Sequence, residues 1–236
     1  MIPLIGVPVI NRGDLLLDLI SSIDYPVAKL AIVQNSHQSD VVDAIKKIKE
    51  GLNPNIKSVY ISSPFRNLGV SASWNHIITS FPEVPYVVIP SADIKFGAGD
   101  LEKVVEVNSH APDAFLSMEG FACFVITQSV VEKVGLFDEN IYPCYYEDND
   151  YHRRIKLANA QFLTMTNLGV IHQGGSQTIM SDPDYNTANG RSFSMNADYY
   201  FDKWGRTSPV HDYDSMYHHP FNDTTRQAYD WRYSPY

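Results

Sequence analysis

Cysteine is nearly absent from this chain. Cys123 and Cys144 are the only two in 236 residues, and they form no CxxC pair. That excludes a disulfide framework and a cysteine-rich metal cluster, and makes a reducing compartment, the cytoplasm, the expected location. Long apolar runs are missing too. No stretch approaches the roughly eighteen apolar residues of a membrane span. Residues 1–10 have no basic segment and are interrupted by Pro3 and Pro8, so no signal peptide is expected. Positive charge is scarce: 18 Lys and Arg face 27 Asp and Glu, a formal charge of −9. A nucleic-acid backbone needs concentrated cations, so no nucleic-acid partner is expected. A small anion held by helix N-termini or a metal stays compatible with this balance. Glycine-rich phosphate loops are also lacking. Neither a Walker loop nor the dinucleotide glycine spacing occurs, which argues against kinase-like and nicotinamide sites.

What is present is an alternation of short apolar runs and helix-periodic stretches. Strands are expected at 2–9, 30–33, 56–62 and 85–90, with helices at 15–23, 40–49 and from near Ala72 to about Ser80 between them. Asp14 is the expected N-cap of the first helix. The order β-α-β-α-β-α-β predicts an α/β fold with a mainly parallel sheet flanked by helices. Further helices are expected at about 101–107, 128–134 and 147–158, and further strands at 114–118, 123–127, 162–166 and 170–172. From Gly174 the composition turns to Ser, Asn, Asp, Tyr and Gly. A helix is expected within 186–201, with Phe193, Ala197, Tyr200 and Phe201 on its apolar side. Residues 205–236 are rich in aromatics and lack periodicity. They are expected to pack on the domain, on a partner subunit or over the site, which leaves room for a homodimer and for peripheral membrane contact.

The candidate chemistry lies at strand ends. Four exits carry polar groups: Asn11 and Arg12, Asn35 and Ser36, Arg66 and Asn67, and Ser91 to Asp93. In an open α/β sheet such exits converge on a cleft. Asp93 follows the apolar run Val87-Val88-Ile89 at once, and is either a turn cap or a ligand carboxylate. Three acids, Glu147, Asp148 and Asp150, open a helix. Helix ends favour acids, and Asp150 has the spacing for an ion pair with Arg153 or Arg154. Crowded acids also raise one another's pKa, and a carboxylate at a cleft lip can take a proton from a hydroxyl. His172 leaves a short strand into Gly174-Gly175. It is either a turn histidine or a partner of Asp93 on a divalent ion. Glu119-Gly120-Phe121 is a further loop, suited to an acceptor pocket or to a plain turn.

Taken in order, these pieces resemble the GT-A glycosyltransferases, in particular the inverting family 2 type. The resemblance covers roughly residues 2–176. It rests on Ile5 to Arg12, Asn67-Leu68-Gly69-Val70-Ser71-Ala72-Ser73-Trp74-Asn75, Ser91-Ala92-Asp93, Gly135-Leu136-Phe137-Asp138-Glu139, and Glu147 to Arg154. It implies a nucleotide-binding half at 1–95, an acceptor and catalytic half at 96–176, and an extension at 177–236.

The resemblance also implies roles. Pro8, Val9, Asn11 and Arg12 would hold the nucleotide, with Asn35 near the base. Asn67, Gly69, Ala72 and Asn75 would line the nucleotide and ribose. Ser91, Ala92 and Asp93 would face the ribose and diphosphate. The family's Asp-x-Asp metal motif is reduced here to Ser91-x-Asp93, so Asp93 with His172 would hold Mn2+ or Mg2+. Asp148 matches the catalytic base and Glu147 its acceptor-binding neighbour. The implied reaction moves a sugar from a nucleoside-diphosphate sugar to a hydroxyl of a glycan acceptor. The alternatives are a nucleotidyltransferase acting on a sugar phosphate and a non-catalytic carbohydrate-binding protein of the same fold.

Overall fold

The computed structural model describes residues 1–173 and 177–205. The expectation for the aromatic tail falls almost wholly outside these residues. The first half alternates β1 (Ile2–Val9), α1 (Gly13–Ser21), β2 (Val27–Gln34), α2 (Ser39–Lys49), β3 (Ile56–Ser62), α3 (Gly69–Ser80) and β4 (Tyr86–Pro90). A two-residue strand β5 (Ile94–Lys95), helix α4 (Asp100–His110), strands β6 (Ala114–Glu119) and β7 (Cys123–Thr127) and helix α5 (Gln128–Val134) follow. Helix α6 (Glu147–Leu157), strands β8 (Gln161–Thr164) and β9 (Ile171–His172), and helices α7 (Gln177–Met180) and α8 (Pro183–Trp204) complete the described chain.

Seven strands form one sheet in the order β3-β2-β1-β4-β7-β6-β8. β3, β2, β1 and β4 are mutually parallel, as the βαβ alternation requires. β7 runs antiparallel to both neighbours, and β6 pairs parallel with β8. Both faces are covered. Leu16, Leu19, Val41, Ile45, Leu101 and Val104 bring α1, α2 and α4 to one face. Trp74, Ile77, Val130, Val134, Tyr151 and Ile155 bring α3, α5 and α6 to the other. Sandwiched strands therefore read as continuous apolar runs: β4 is buried at every position, whereas the edge strand β3 is buried at none. Each fully buried aliphatic side chain contributes about 1.5–3 kcal/mol.

The strand order reverses between β1 and β4. The chain moves from β1 outward to β2 and β3, then returns past β1 to place β4 on its other side. At such a switch point the loops leaving the two central strands diverge and open a crevice. Two local expectations are corrected. The N-cap of α1 is Arg12, in the left-handed conformation, and Asp14 instead accepts two bonds from the Arg12 guanidinium at 2.8 and 2.7 Å. α8 buries Asn196, Tyr200, Lys203 and Trp204, while Phe193 is exposed. Polar residues enter that stripe because they find partners there: Asn196 bonds to Tyr142, Cys144 and Tyr145 ahead of α6, and Lys203 to Asp138 and to Asp150 of α6.

Candidate active site

A cleft of about 380 Å³ opens at the carboxyl ends of β1 and β4. Its first wall is the β1 exit, Pro8 to Ile10. Asn35, leaving β2, lies beside it and is tied by its backbone N–H to the Val9 carbonyl at 2.7 Å. The Asn35 amide accepts from the Leu68 N–H and donates to Ser73 Oγ, both at 2.9 Å, so it fixes the start of α3 against β2. Asn67 Oδ1 accepts from the Gly69 N–H at 2.9 Å. Gly69 has φ +77°, and a Cβ there would lie 2.8 Å from the Tyr142 ring and 2.9 Å from the Pro143 carbonyl. The α3 start and the 142–145 segment therefore approach only because this residue has no side chain.

The floor is Ser91, Ala92 and Asp93. Asp93 is buried, and its Oδ2 lies 3.2 Å from His172 Nε2. The small ladder between β5 and β9 makes this meeting: Ile94 pairs with His172, and the Asp93 carbonyl accepts from the Gln173 N–H at 2.9 Å. The opposite wall comes from α6. Tyr145 and Tyr146 both have positive φ, and this sharp turn aims the first turn of α6 into the cleft. Glu147 is only 8% exposed, and its Oε2 has no hydrogen-bond partner among the described residues. Burial first, then the charge of Asp148, pushes the Glu147 carboxyl up to about 8. Asp148 is half-buried and accepts from the Asn149 N–H at 2.8 Å. The two acids are thus held in different environments, one dry and one partly wet.

Asp150 turns away from the cleft. It is fully buried and bound by Arg154 Nε at 2.9 Å, Lys203 Nζ at 2.6 Å and the Trp204 indole at 2.8 Å. Burial works to raise this carboxyl, but the charges of Lys203 and Arg154 prevail and hold it below the usual range.

Of the fifteen residues to which the resemblance gives a nucleotide, metal or catalytic role, eleven line the cleft: Pro8, Val9, Asn35, Asn67, Gly69, Ser91, Ala92, Asp93, Glu147, Asp148 and His172. Four do not. Asn11 is buried beneath the rim and donates to the Thr178 carbonyl at 2.7 Å, tying the β1 exit to α7. Arg12 pairs with Asp14, and Ala72 is half-buried inside α3. The Asn75 amide is committed to the Phe137 N–H and carbonyl, each at 2.8 Å, and to Glu139 at 3.0 Å. The sequence reading overlooked the cover, which Thr178, Ile179, Tyr185, Ala188 and Asn189 provide. The spacing of 185, 188 and 189 on one helix face was the available signal.

No group of three or more His, Cys, Asp or Glu gathers as a metal site among the described residues. Asp93 and His172 place a carboxylate oxygen and an imidazole nitrogen side by side at the cleft floor. The carboxylate suits a divalent ion that takes further ligands from phosphate oxygens and water, and the imidazole nitrogen beside it is a second donor of the kind transition-metal ions accept. The residues present therefore fit a substrate-completed divalent site.

No family model matches the chain, and no curated protein matches it. Solved structures do. The mannosyltransferase PcManGT from Pyrobaculum calidifontis, in complex with GDP-Man and Mn2+, superposes with a TM-score of 0.56 at 16% identity, over 70% of this chain and 54% of that one. GalNAc-T7 with UDP, GalNAc and Mn2+ gives 0.62 at 13% identity, over 98% and 55%. S. aureus TarS 1-349 with UDP gives 0.58 at 11% identity, over 88% and 73%. The fold is GT-A. At these identities the likeness concerns the fold, and the chain spans about half the length of the first two proteins.

Proposed function

We propose that this GT-A chain is an inverting glycosyltransferase that uses a nucleoside-diphosphate sugar and a glycan hydroxyl. The observation that carries the reading is the placement of two acid sets across one cleft: Asp93 with His172 on its floor, and Glu147 with Asp148 on its wall. The neighbouring PcManGT and GalNAc-T7 structures hold Mn2+ with a nucleotide or nucleotide sugar. By analogy, the nucleotide occupies the side formed by Pro8, Val9, Asn35, Asn67 and Gly69. The ribose lies toward Ser91 and the diphosphate toward Asp93 and His172. Asn11, Arg12, Ala72 and Asn75 act from behind this surface, by holding its loops.

Asp148 serves as the base. Partly solvated at the cleft wall, beside a Glu147 whose carboxyl burial keeps protonated, it accepts the proton of the acceptor hydroxyl. The acceptor oxygen then forms a bond to the anomeric carbon as the bond to the diphosphate breaks. The electron pair leaves with the diphosphate, and attack from the opposite face inverts the centre. Asp93 and His172 would hold the divalent ion, which when bound offsets charge developing on the leaving diphosphate. Glu147 holds the acceptor by hydrogen bonding. Residues 1–176 form the transfer unit, and 177–236 form an extension whose helix α8 lies against α6.

The test is product analysis with Mn2+ and a panel of nucleotide sugars. Acceptor-dependent release of nucleoside diphosphate is expected. Release of pyrophosphate instead would establish a nucleotidyltransferase, and failure to bind any nucleotide with Mn2+ would establish a non-catalytic relative.

A further inference from the structure

We infer that the acceptor taken by this cleft is an uncharged or amino saccharide, and that uronic, sialic and phosphorylated sugars are rejected. The inference rests on the transferase reading and specifies its acceptor. Its basis is the charge on the lining. Asp93 and Asp148 line the cleft together with the buried, protonated Glu147, and no Lys or Arg among the described residues lines it. The cations at the nearby strand exits lie elsewhere: Arg12 is bound to Asp14 through two hydrogen bonds, and Arg66 is exposed outside the cleft.

On the floor, a divalent ion at Asp93 and His172 can answer the charge of a donor diphosphate. The acceptor wall has no such device. A carboxylate or phosphate brought beside Asp148 meets like charge in a part-buried space, which is costly and selects against anionic ligands. The remaining lining suits a neutral sugar. Trp74, Phe121, Tyr145 and Tyr185 supply aromatic surface for the apolar faces of pyranose rings. Glu147 contributes a buried oxygen without a partner at the same wall, and a sugar hydroxyl satisfies it. An amino sugar gains further, since its ammonium meets Asp148 with no cation beside it in the described lining.

The experiment uses the full chain with Mn2+ and two acceptor sets. The first holds methyl glycosides of glucose, galactose, mannose, N-acetylglucosamine, N-acetylgalactosamine and glucosamine. The second holds glucuronic, galacturonic and sialic acid glycosides and mannose 6-phosphate. Binding is read by saturation-transfer NMR and turnover by nucleoside-diphosphate release. At least one member of the first set should bind and turn over roughly tenfold or more above every member of the second. Asn189→Lys should narrow that ratio by adding a cation to the lining. Equal or preferred use of an anionic sugar overturns the inference while leaving the transferase reading intact. So does donor cleavage with no saccharide of either set bound. Absence of nucleotide-sugar binding, read in the same NMR experiment, overturns both.

Discussion

The indole N–H of Trp204 donates to Asp150 Oδ1 at 2.8 Å, joining residues fifty-four apart in sequence. Lys203 completes the joint. Its ammonium lies 2.6 Å from Asp150 and 2.9 Å from Asp138, and the Asp138 carboxylate also accepts from Tyr199 at 2.7 Å. Lys203→Met leaves two buried carboxylates with less compensation. Removing one partner of a buried ion pair costs about 3–5 kcal/mol. Urea unfolding should show a loss of that size, and adding Asp138→Asn should recover part of it. A loss below about 1 kcal/mol, the range of exposed pairs, would show the joint to be dispensable.

Glu147 gives a pH dependence of opposite sign to that of a paired carboxylate. Its carboxyl titrates near 4.5 when unfolded and at about 8 when folded. Between those values the unfolded chain releases a proton that the folded chain keeps, so stability falls as pH rises through this window. Below it no penalty applies, and above it the full penalty is present. Glu147→Gln removes the slope. The variant should match the parent near pH 4 and exceed it at pH 9 by a few kcal/mol, on the order of 1.4 per pKa unit. Identical pH profiles in urea unfolding would refute the assignment.

Asp148→Asn separates chemistry from binding. Loss of a positioned base lowers the transfer rate by about 10²–10⁴-fold. Donor affinity, measured by calorimetry with Mn2+, should change by less than about twofold, because the acceptor wall lies apart from the nucleotide side. Equal loss of both would remove Asp148 from the role of base.

Asp93→Asn and His172→Ala address the floor. Each should weaken Mn2+ binding, measured with nucleoside diphosphate present, by roughly tenfold or more, since each removes one of two protein donors. Unchanged Mn2+ affinity in both variants would show that Asp93 and His172 pair only with each other.

Gly69→Ala tests the narrow approach between α3 and the 142–145 segment. The left-handed backbone alone costs about 1–2 kcal/mol for a residue with a Cβ. The contact with Tyr142 and Pro143 adds displacement of a segment that reaches the cleft wall. Loss of stability should therefore come with weaker nucleotide binding. A variant as stable as the parent would show that the segment gives way freely.

The parallel core was legible because strands buried on both faces must be continuously apolar, as Val87-Val88-Ile89 is. The floor was legible in part. Asp93 and His172 each follow an apolar run, but the two-residue strand β5 that joins them is too short to show any period. The co-occurrence of the 67–75 and 135–139 stretches has a structural reason: the Asn75 amide closes on Phe137. α8 was read on its aromatics, and its true buried stripe includes Asn196 and Lys203. Periodicity cannot reveal a buried lysine whose partners, Asp138 and Asp150, lie far back in the chain.

The grip of α8 on α6 sets an order of assembly. Glu147 and Asp148 share the first turn of α6 with Asp150, yet the second cation and the indole that bind Asp150 arrive only with residues 203 and 204. During synthesis the wall of acids is made early and secured late. A nascent chain ending before Lys203 holds Asp150 by Arg154 alone, so its α6 should be cut first in limited proteolysis. Protection of α6 should then appear once the chain extends through Trp204, the residue that donates to Asp150.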